Sequence, residues 1–210
     1  VLRAGEVLGI AGVSGNGQRA LADAAAARVA GAARIPEDRQ AVGVVGDLPL
    51  WENAVLDRYR APAFARAGVV RRGAARRHAA DIVARYDVRG GGLDAPARSL
   101  SGGNMQKLVL GRTLLGTTPT LIVAEQPTWG LDVGAVAFVH QQLLDAAAAG
   151  SAVLLVSEDL DEILALADRV AVLHRGRLGA PRPVADWTLA GLGLAMTGSD
   201  TAHDAARAAH

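Results

Sequence analysis

Two short stretches of this 210-residue chain have the residue types and spacing to hold a phosphate. The first is Leu100-Ser101-Gly102-Gly103-Asn104-Met105-Gln106, a polar glycine turn ahead of a helical pattern through Met105, Leu108, Val109 and Leu115. Ser101 is a good N-cap, and the two glycines leave the backbone bare. The first N–H groups of such a helix point outward at the positive end of its dipole, which suits an anion, above all a phosphate. The second stretch is Gly12-Val13-Ser14-Gly15-Asn16-Gly17-Gln18-Arg19-Ala20, between an apolar run and an alanine-rich one. Strand, glycine loop and helix in that order is the layout of a phosphate-binding loop. Its lysine position is Gln18 and its Ser/Thr position is Arg19. The lysine neutralises the β- and γ-phosphates and the hydroxyl ligates Mg²⁺. Gln18 carries no charge, and Arg19 would repel a cation. The same residues also read Gly15-x-Gly17-x-x-Ala20, the spacing of a dinucleotide fingerprint, with Glu37 about far enough on to hold a ribose. Pro36, directly before Glu37, counts against that reading, because the ribose-binding acid ends a regular second strand.

Continuous apolar runs must place these loops. Residues 7–10, 120–124, 151–156 and 169–174 read as buried strands. Helical patterns cover 18–30, 51–59, 72–86 and 133–149. The 72–86 stripe is Ala75, Ala79, Ile82, Val83 and Tyr86; the 133–149 stripe is Val136, His140, Leu143, Leu144 and Ala147. Arg71, Arg72, Arg76 and Arg77, with His78 and Asp81, read as a solvated face. Residues 33–47, with a proline and several charges, read as a surface loop. Arg175-Gly176 is a hairpin turn into Arg177-Leu178. A weak helix follows Pro183, and the polar, alanine-rich end is expected to be loose. Strands alternating with helices give an α/β layered domain with a largely parallel sheet.

Half of the residues are hydrophobic and 20% are charged, a globular balance. A net charge of +1 gives no reason to expect nucleic-acid binding. Without cysteine there is no disulfide framework, thiol nucleophile or thiolate metal site. No apolar run is long enough to span a bilayer, and no signal-peptide pattern is present. The chain begins on Val1 and enters a buried strand almost at once, as expected of a domain excised from something longer.

The heptapeptide at Leu100 to Gln106 resembles the signature sequence of ABC-type ATPases. The resemblance covers about residues 5 to 180, and it implies a P-loop ATPase core of largely parallel sheet with a helical subdomain. The parts would be 1–48, the first part of the core; 49–110, the helical subdomain ending in the signature loop; 111–180, the rest of the core; and 181–210, a loose extension. It implies that Gly12, Gly15, Asn16, Gly17, Gln18 and Arg19 form a degenerate Walker A loop, and that Glu37 occupies the Q-loop position. Ile35-Pro36-Glu37-Asp38-Arg39 is similar to that segment in sugar and nucleoside importers. The family's extra hairpin ahead of it has no room in residues 28–34.

Glu125-Gln126-Pro127-Thr128-Trp129-Gly130-Leu131-Asp132 resembles Walker B plus D-loop. The first acid of that motif holds the Mg²⁺ shell and the second takes a proton from the attacking water. Here Glu125 is a weak Mg²⁺ position, and Gln126 can hydrogen-bond a water but cannot take its proton. Asp132 is expected to cross to a partner cassette, beside Trp129. Glu158 stands at the switch position, where the family has a histidine. Ser101, Gly102, Gly103 and Gln106 are expected to close over ATP held by a second cassette.

The resemblance is nearest to the second, degenerate cassette of tandem importers for simple sugars or nucleosides. It implies ATP and Mg²⁺ as cofactors, and membrane permease subunits and a substrate-binding protein as partners. It implies a place on the cytoplasmic face of the membrane, and ATPase activity only with a competent partner cassette. Two other readings stand beside it, a Rossmann-type dinucleotide-binding domain and a pseudo-ATPase fragment with no part in transport.

Overall fold

The computed structural model describes residues 1–198. In chain order the elements are β1 (Val7–Ala11), α1 (Gln18–Arg28), β2 (Ala32–Ile35), α2 (Leu50–Asn53), β3 (Ala65–Arg66), β4 (Val69–Val70), α3 (Arg72–Arg85), α4 (Gly102–Leu114) and β5 (Leu121–Glu125). After them come α5 (Val133–Ala148), β6 (Ala152–Ser157), α6 (Leu160–Leu166), β7 (Arg169–His174), β8 (Arg177–Leu178), β9 (Arg182–Pro183) and α7 (Leu189–Met196). They fall into two compact units. Among the described residues, one is Val1–Arg34, Thr120–Gln126 and 143–198; the other is Ile35–Pro119 with Pro127–Gln142.

The first unit is built on a sheet in the order β2-β5-β6-β1-β7-β8, with β9 also paired to β7. The pairs β1–β6, β1–β7 and β5–β6 are parallel, while β8 and β9 run antiparallel to β7. Strands β1, β5 and β6 are buried along their whole length, so their sequences are nearly continuous apolar runs rather than alternating ones, with Glu125 and Ser157 as the polar ends of β5 and β6. Alternate residues still serve opposite faces. Leu8, Ile10, Leu121, Val123, Leu154 and Val156 cluster with Ala22, against which Leu21, Ala25 and Ala26 of α1 also pack. On the other face a Cβ at Gly9 would stand 3.0 Å from Ala167 Cβ and 3.1 Å from Ile163 Cδ1, so the glycine lets α6 lie close. Helix α7 buries Leu192, Ala195 and Met196, so the chain from Arg182 to Met196 is folded rather than loose. The polar tail from residue 199 lies outside the described residues.

The second unit is helical. It holds α2, α3, α4, the first turns of α5 and the two-stranded hairpin β3–β4. Helix α3 buries Ala75, Ala79 and Ile82. A Cβ at Gly111 would stand 2.4 Å from Ile82 Cγ2, so only glycine allows α3 and α4 to meet there. Of the four arginines at its start, Arg76 pairs with Asp94 and Arg72 lies over the Trp51 ring, while Arg71 and Arg77 are exposed. His78 is half-buried, bonded at 2.9 Å to Arg58, and its pKa is lowered by burial and then by that guanidinium.

Three local expectations change. Helix α2 stops at Asn53, well short of residue 59. Asn53 is fully buried and its amide is committed to the 45–49 backbone, accepting from Val45 N at 2.8 Å and donating to the Val45, Leu48 and Pro49 carbonyls. The stripe of α5 is Ala135, Val139, Leu143 and Ala147, one residue out of phase with Val136 and His140. The segment 33–47 is not all loop. It opens in β2, and Arg39–Gly43 forms one π-helical turn capped by Asp38, which accepts from Gln40 N and Ala41 N. Among the described residues no helix is long and apolar enough to cross a membrane.

Candidate functional site

The residues singled out from sequence fall into two sets, one in each unit. In the sheet unit, β1 ends at Ala11 and delivers the glycine loop. Gly15 and Gly17 take φ of +85° and +104°, conformations that side chains resist, and Gly17 caps α1 without any side-chain hydrogen bond. Gly12 leaves no room for a side chain, because a Cβ there would stand 2.5 Å from the Leu173 carbonyl oxygen. Two polar side chains of the loop bond its own backbone. Gln18 Nε2 donates to the carbonyls of Gly12 at 3.0 Å and Val13 at 2.6 Å. Asn16 Nδ2 donates to Val13 O at 2.8 Å, and Asn16 Oδ1 accepts from Arg175 N at 2.7 Å. Arg19 is exposed on the first turn of α1.

The end of β5 brings Glu125 and Gln126 beside the end of β6. Glu125 is buried, and its carboxylate accepts from Arg34 Nη2 at 2.5 Å; the same guanidinium donates to Asp23 at 2.6 Å. The Glu125 hydrogen bond is the largest reason that the Arg34 pKa is raised, ahead of the opposing cost of burial. Gln126 sits at φ +46°, a backbone conformation rare outside glycine. Its Oε1 accepts from Glu158 N at 3.2 Å and from Ser157 Oγ at 3.4 Å. The base and switch positions therefore do meet, but through an amide oxygen and a backbone N–H. Neither group can take a proton from water.

This end of the sheet does not fit a Mg²⁺ ion. The acid expected to face it is already bonded to a guanidinium, and Arg19 stands where a ligating hydroxyl would. Among the described residues no three His, Asp or Glu side chains stand close enough together to hold a metal.

In the helical unit the second glycine loop is arranged differently. Ser101 caps α4; its Oγ accepts from Asn104 N at 3.4 Å and Asn104 Nδ2 at 2.9 Å. Asn104 Oδ1 accepts from Arg89 N at 2.7 Å, so the two polar side chains satisfy one another beside the loop. Around Gly102 the space is open, with no atom within 4 Å of a Cβ placed there. Gly103 faces Ala135, and Asp132 accepts from Ala135 N at 2.9 Å to cap α5.

Gln106 does not stand at the surface with Ser101 and Gly102. It is fully buried, and its Nε2 donates at 2.7 Å to the carbonyl of Pro127. Its position one turn into α4, on the inner side with Met105, is the reason. A hollow of about 510 Å³ joins Gly102 and Met105 to Glu37, Asp38, Arg39 and Trp129. Arg39 donates to the carbonyl oxygen of Trp129, and burial lowers its pKa. Glu37 is exposed at this hollow, just past the end of β2.

Arg34 and Arg39 were not among the residues that the sequence marks. Each bonds a group 91 or 90 positions away, and no local pattern encodes such a pairing. The dinucleotide reading is not favoured. In that fold the second strand lies beside the first, whereas here β2 is the edge strand, separated from β1 by β5 and β6. Ala20, which would have to pack closely against the sheet, is exposed.

No family model matches the chain. Its sequence is 39% identical over 222 aligned residues to the guanosine import ATP-binding protein NupO of Bacillus subtilis, covering 94% of this chain and 43% of that protein. It is 39% identical over 227 residues to the glucose import ATP-binding protein TsgD13 of Haloferax volcanii, covering 96% and 41%. It is 34% identical over 223 residues to the nucleoside import ATP-binding protein NupA of Lactococcus lactis, covering 95% and 44%. The chain thus spans less than half the length of these relatives. Among solved structures it is similar to an ATP-binding subunit of an ABC transporter, with a TM-score of 0.69 and 21% identity over 94% of this chain and 90% of that one. It is also similar to MJ0796, a bacterial ABC transporter cassette solved as a dimer, with a TM-score of 0.71 and 17% identity over 88% of each chain. These likenesses give no support to a fragment outside transport. By fold and by sequence the chain belongs with the ATP-binding cassettes, of the kind found in sugar and nucleoside import ATP-binding proteins.

Proposed function

We propose that this chain is the degenerate one of two ATP-binding cassettes that together drive an importer for simple sugars or nucleosides. Its signature loop completes the ATP site of the other cassette, and its own glycine loop does not support hydrolysis. One observation carries the reading. Both side chains at the end of β5 are committed to the protein's own groups, Glu125 to Arg34 and Gln126 to the Glu158 backbone, while Gly102 faces open space. The amide at the base position, Gln126, cannot take a proton from water. The open end of α4, by contrast, keeps outward N–H groups that suit a γ-phosphate brought by another chain.

The substrate class follows the relatives, whose names give guanosine, nucleosides, glucose and ribose. Their greater length leaves room for the second cassette in the same polypeptide. The MJ0796 structures are dimers, one of them with ADP and Pi bound, which supports a partner of the same fold. The assembly then sits on the cytoplasmic face of the membrane, against permease subunits fed by a substrate-binding protein. Asp132 and Trp129 lie on the loop that meets the partner cassette.

The test is phosphate release and uptake by the complete transporter. Gly102→Asp places a negative charge where the phosphate must approach, in space that the fold leaves open. Turnover should collapse while ATP still binds the partner cassette, and Gln18→Ala should do far less. The opposite ranking would overturn the reading.

A further inference from the structure

The Arg34–Glu125 pair lies where this fold would hold a metal ion, and it has a different job. Glu125 ends β5, Arg34 lies on the edge strand β2, and Asp23 lies on α1. One guanidinium therefore ties three elements of the sheet unit together, with bonds of 2.5 Å to Glu125 and 2.6 Å to Asp23. The Glu125 side chain is only 10% exposed and that of Arg34 is 37% exposed, so the first of the two bonds is the sheltered one. The strand it secures is four residues long and pairs on one side only. Such a strand has few backbone hydrogen bonds of its own, and a sheltered ion pair to its neighbour is a large share of what holds it.

We propose that Glu125 is a structural acid whose permanent cation is Arg34, so that no divalent metal is bound at this end of the sheet even when nucleotide is present. The grounds are steric and electrostatic. A Mg²⁺ ion needs its carboxylate oxygen at about 2.0–2.1 Å and keeps a near-octahedral shell around itself. The guanidinium already holds that oxygen in charge-assisted contact, and two positive groups cannot share it without strong repulsion. An arginine cannot yield by losing its proton, because its pKa lies far above neutrality and here is raised further by the same bond. Moving the arginine aside would leave Asp23 and the edge strand without it. The remaining donors do not replace the lost ligand, since Arg19 repels the ion and Gln126 faces the Glu158 backbone.

The inference is separate from the role given to the signature loop, and its test does not rest on hydrolysis. Manganese, read by electron paramagnetic resonance, is counted on the complete protein with ATP, in the wild type and in Glu125→Gln. The count should be the same in both. In parallel, amide hydrogen exchange of Ala32–Ile35 is followed in wild type, Arg34→Gln, Glu125→Gln and the double variant. Either single change should speed exchange of β2 by tenfold or more, and the second change should add little to the first. Asp23→Asn should have a smaller effect. A manganese count that falls by one in Glu125→Gln overturns the proposal. So does wild-type β2 that loses protection when MnATP is added, because the arginine would then have left the acid. Unchanged exchange in Arg34→Gln also overturns it, since the pair would not be holding the strand.

Discussion

Both glycine loops of this chain open a helix and both hold a glycine in open space, Gly15 and Gly102, yet one is closed on itself through its polar side chains and the other is not. At α1 the cap is Gly17, which offers no side chain, and the polar residues around it serve the loop. Gln18 bridges the Gly12 and Val13 carbonyls, and Asn16 reaches Val13 and Arg175. At α4 the cap is Ser101, whose oxygen and the Asn104 amide satisfy each other to one side, leaving Gly102 bare. Glycine content is the same kind of signal in both. What separates them is where the neighbouring polar side chains find their partners. A loop whose side-chain amides bond its own carbonyls has spent those side-chain donors, and a loop whose cap is satisfied laterally keeps the first N–H groups of its helix facing outward.

The strongest way to break this contrast is to look for hydrolysis at the closed loop. Phosphate release by this chain without a partner cassette should be orders of magnitude below that of a working cassette. Restoring the lysine through Gln18→Lys should not recover it, because Gln126 and the Arg34-bound Glu125 remain. Turnover of roughly one per second, the lower end of ordinary enzyme rates, that also survives Gln126→Ala would end the distinction between the loops.

A smaller effect tests what lies under the open loop. Gln106 is fully buried and donates to Pro127 O at 2.7 Å. Gln106→Leu keeps the volume but leaves that carbonyl unpaired, which should cost about 1–3 kcal/mol, read as a shift of the urea midpoint at constant slope. No change would mean that the floor of the signature loop is not held by this bond.

Much of the scaffold under both loops is legible in the sequence, because parallel strands buried on both faces must be apolar at every position. The runs at Val7, Leu121 and Ala152 say so directly. Ser101 is legible for a local reason as well, since a cap is a short-range interaction. The arginines are not. Arg34 and Arg39 act across 91 and 90 positions, and a long flexible side chain gives no sign of its partner. The α5 stripe misleads because valines stand on both sides of it. Val136 fits the pattern as well as Val139 does, and a small residue, Ala135, marks the buried side instead. At Asn53, side-chain bonds to the preceding 45–49 loop accompany the end of a helix that local propensity would continue.

Gly111 sharpens the comparison from the helical side. It is a glycine inside α4 with φ in the ordinary range, present for space and not for flexibility. A methyl there would meet Ile82 Cγ2 at 2.4 Å and Tyr86 Cδ2 at 3.1 Å. Gly111→Ala should destabilise by about 1–3 kcal/mol through overpacking, despite alanine's better helix propensity. A gain in thermal stability would mean that α3 gives way easily and that the helix carrying the open loop is not rigidly backed.

The smallest expected change to the lone chain is at Trp129. The residue is 65% exposed, and the anchor at this position is its backbone carbonyl, which accepts from Arg39. Truncating the ring leaves that anchor, the adjacent Gly130 and the Gln106 bond to Pro127 in place. Trp129→Ala should therefore shift the stability of the monomer by no more than about 0.5 kcal/mol, as for other exposed positions. An exposed tryptophan at an interface behaves otherwise, since central aromatic anchors cost about 2 kcal/mol or more when truncated. Association with the partner cassette in the presence of ATP should accordingly weaken by about thirtyfold or more, measured by sedimentation. The two readings pull in opposite directions on one substitution. A monomer that melts much earlier, with association unchanged, would make Trp129 part of the core of the helical unit, and the open side of the signature loop would then lack the aromatic anchor assigned to it here.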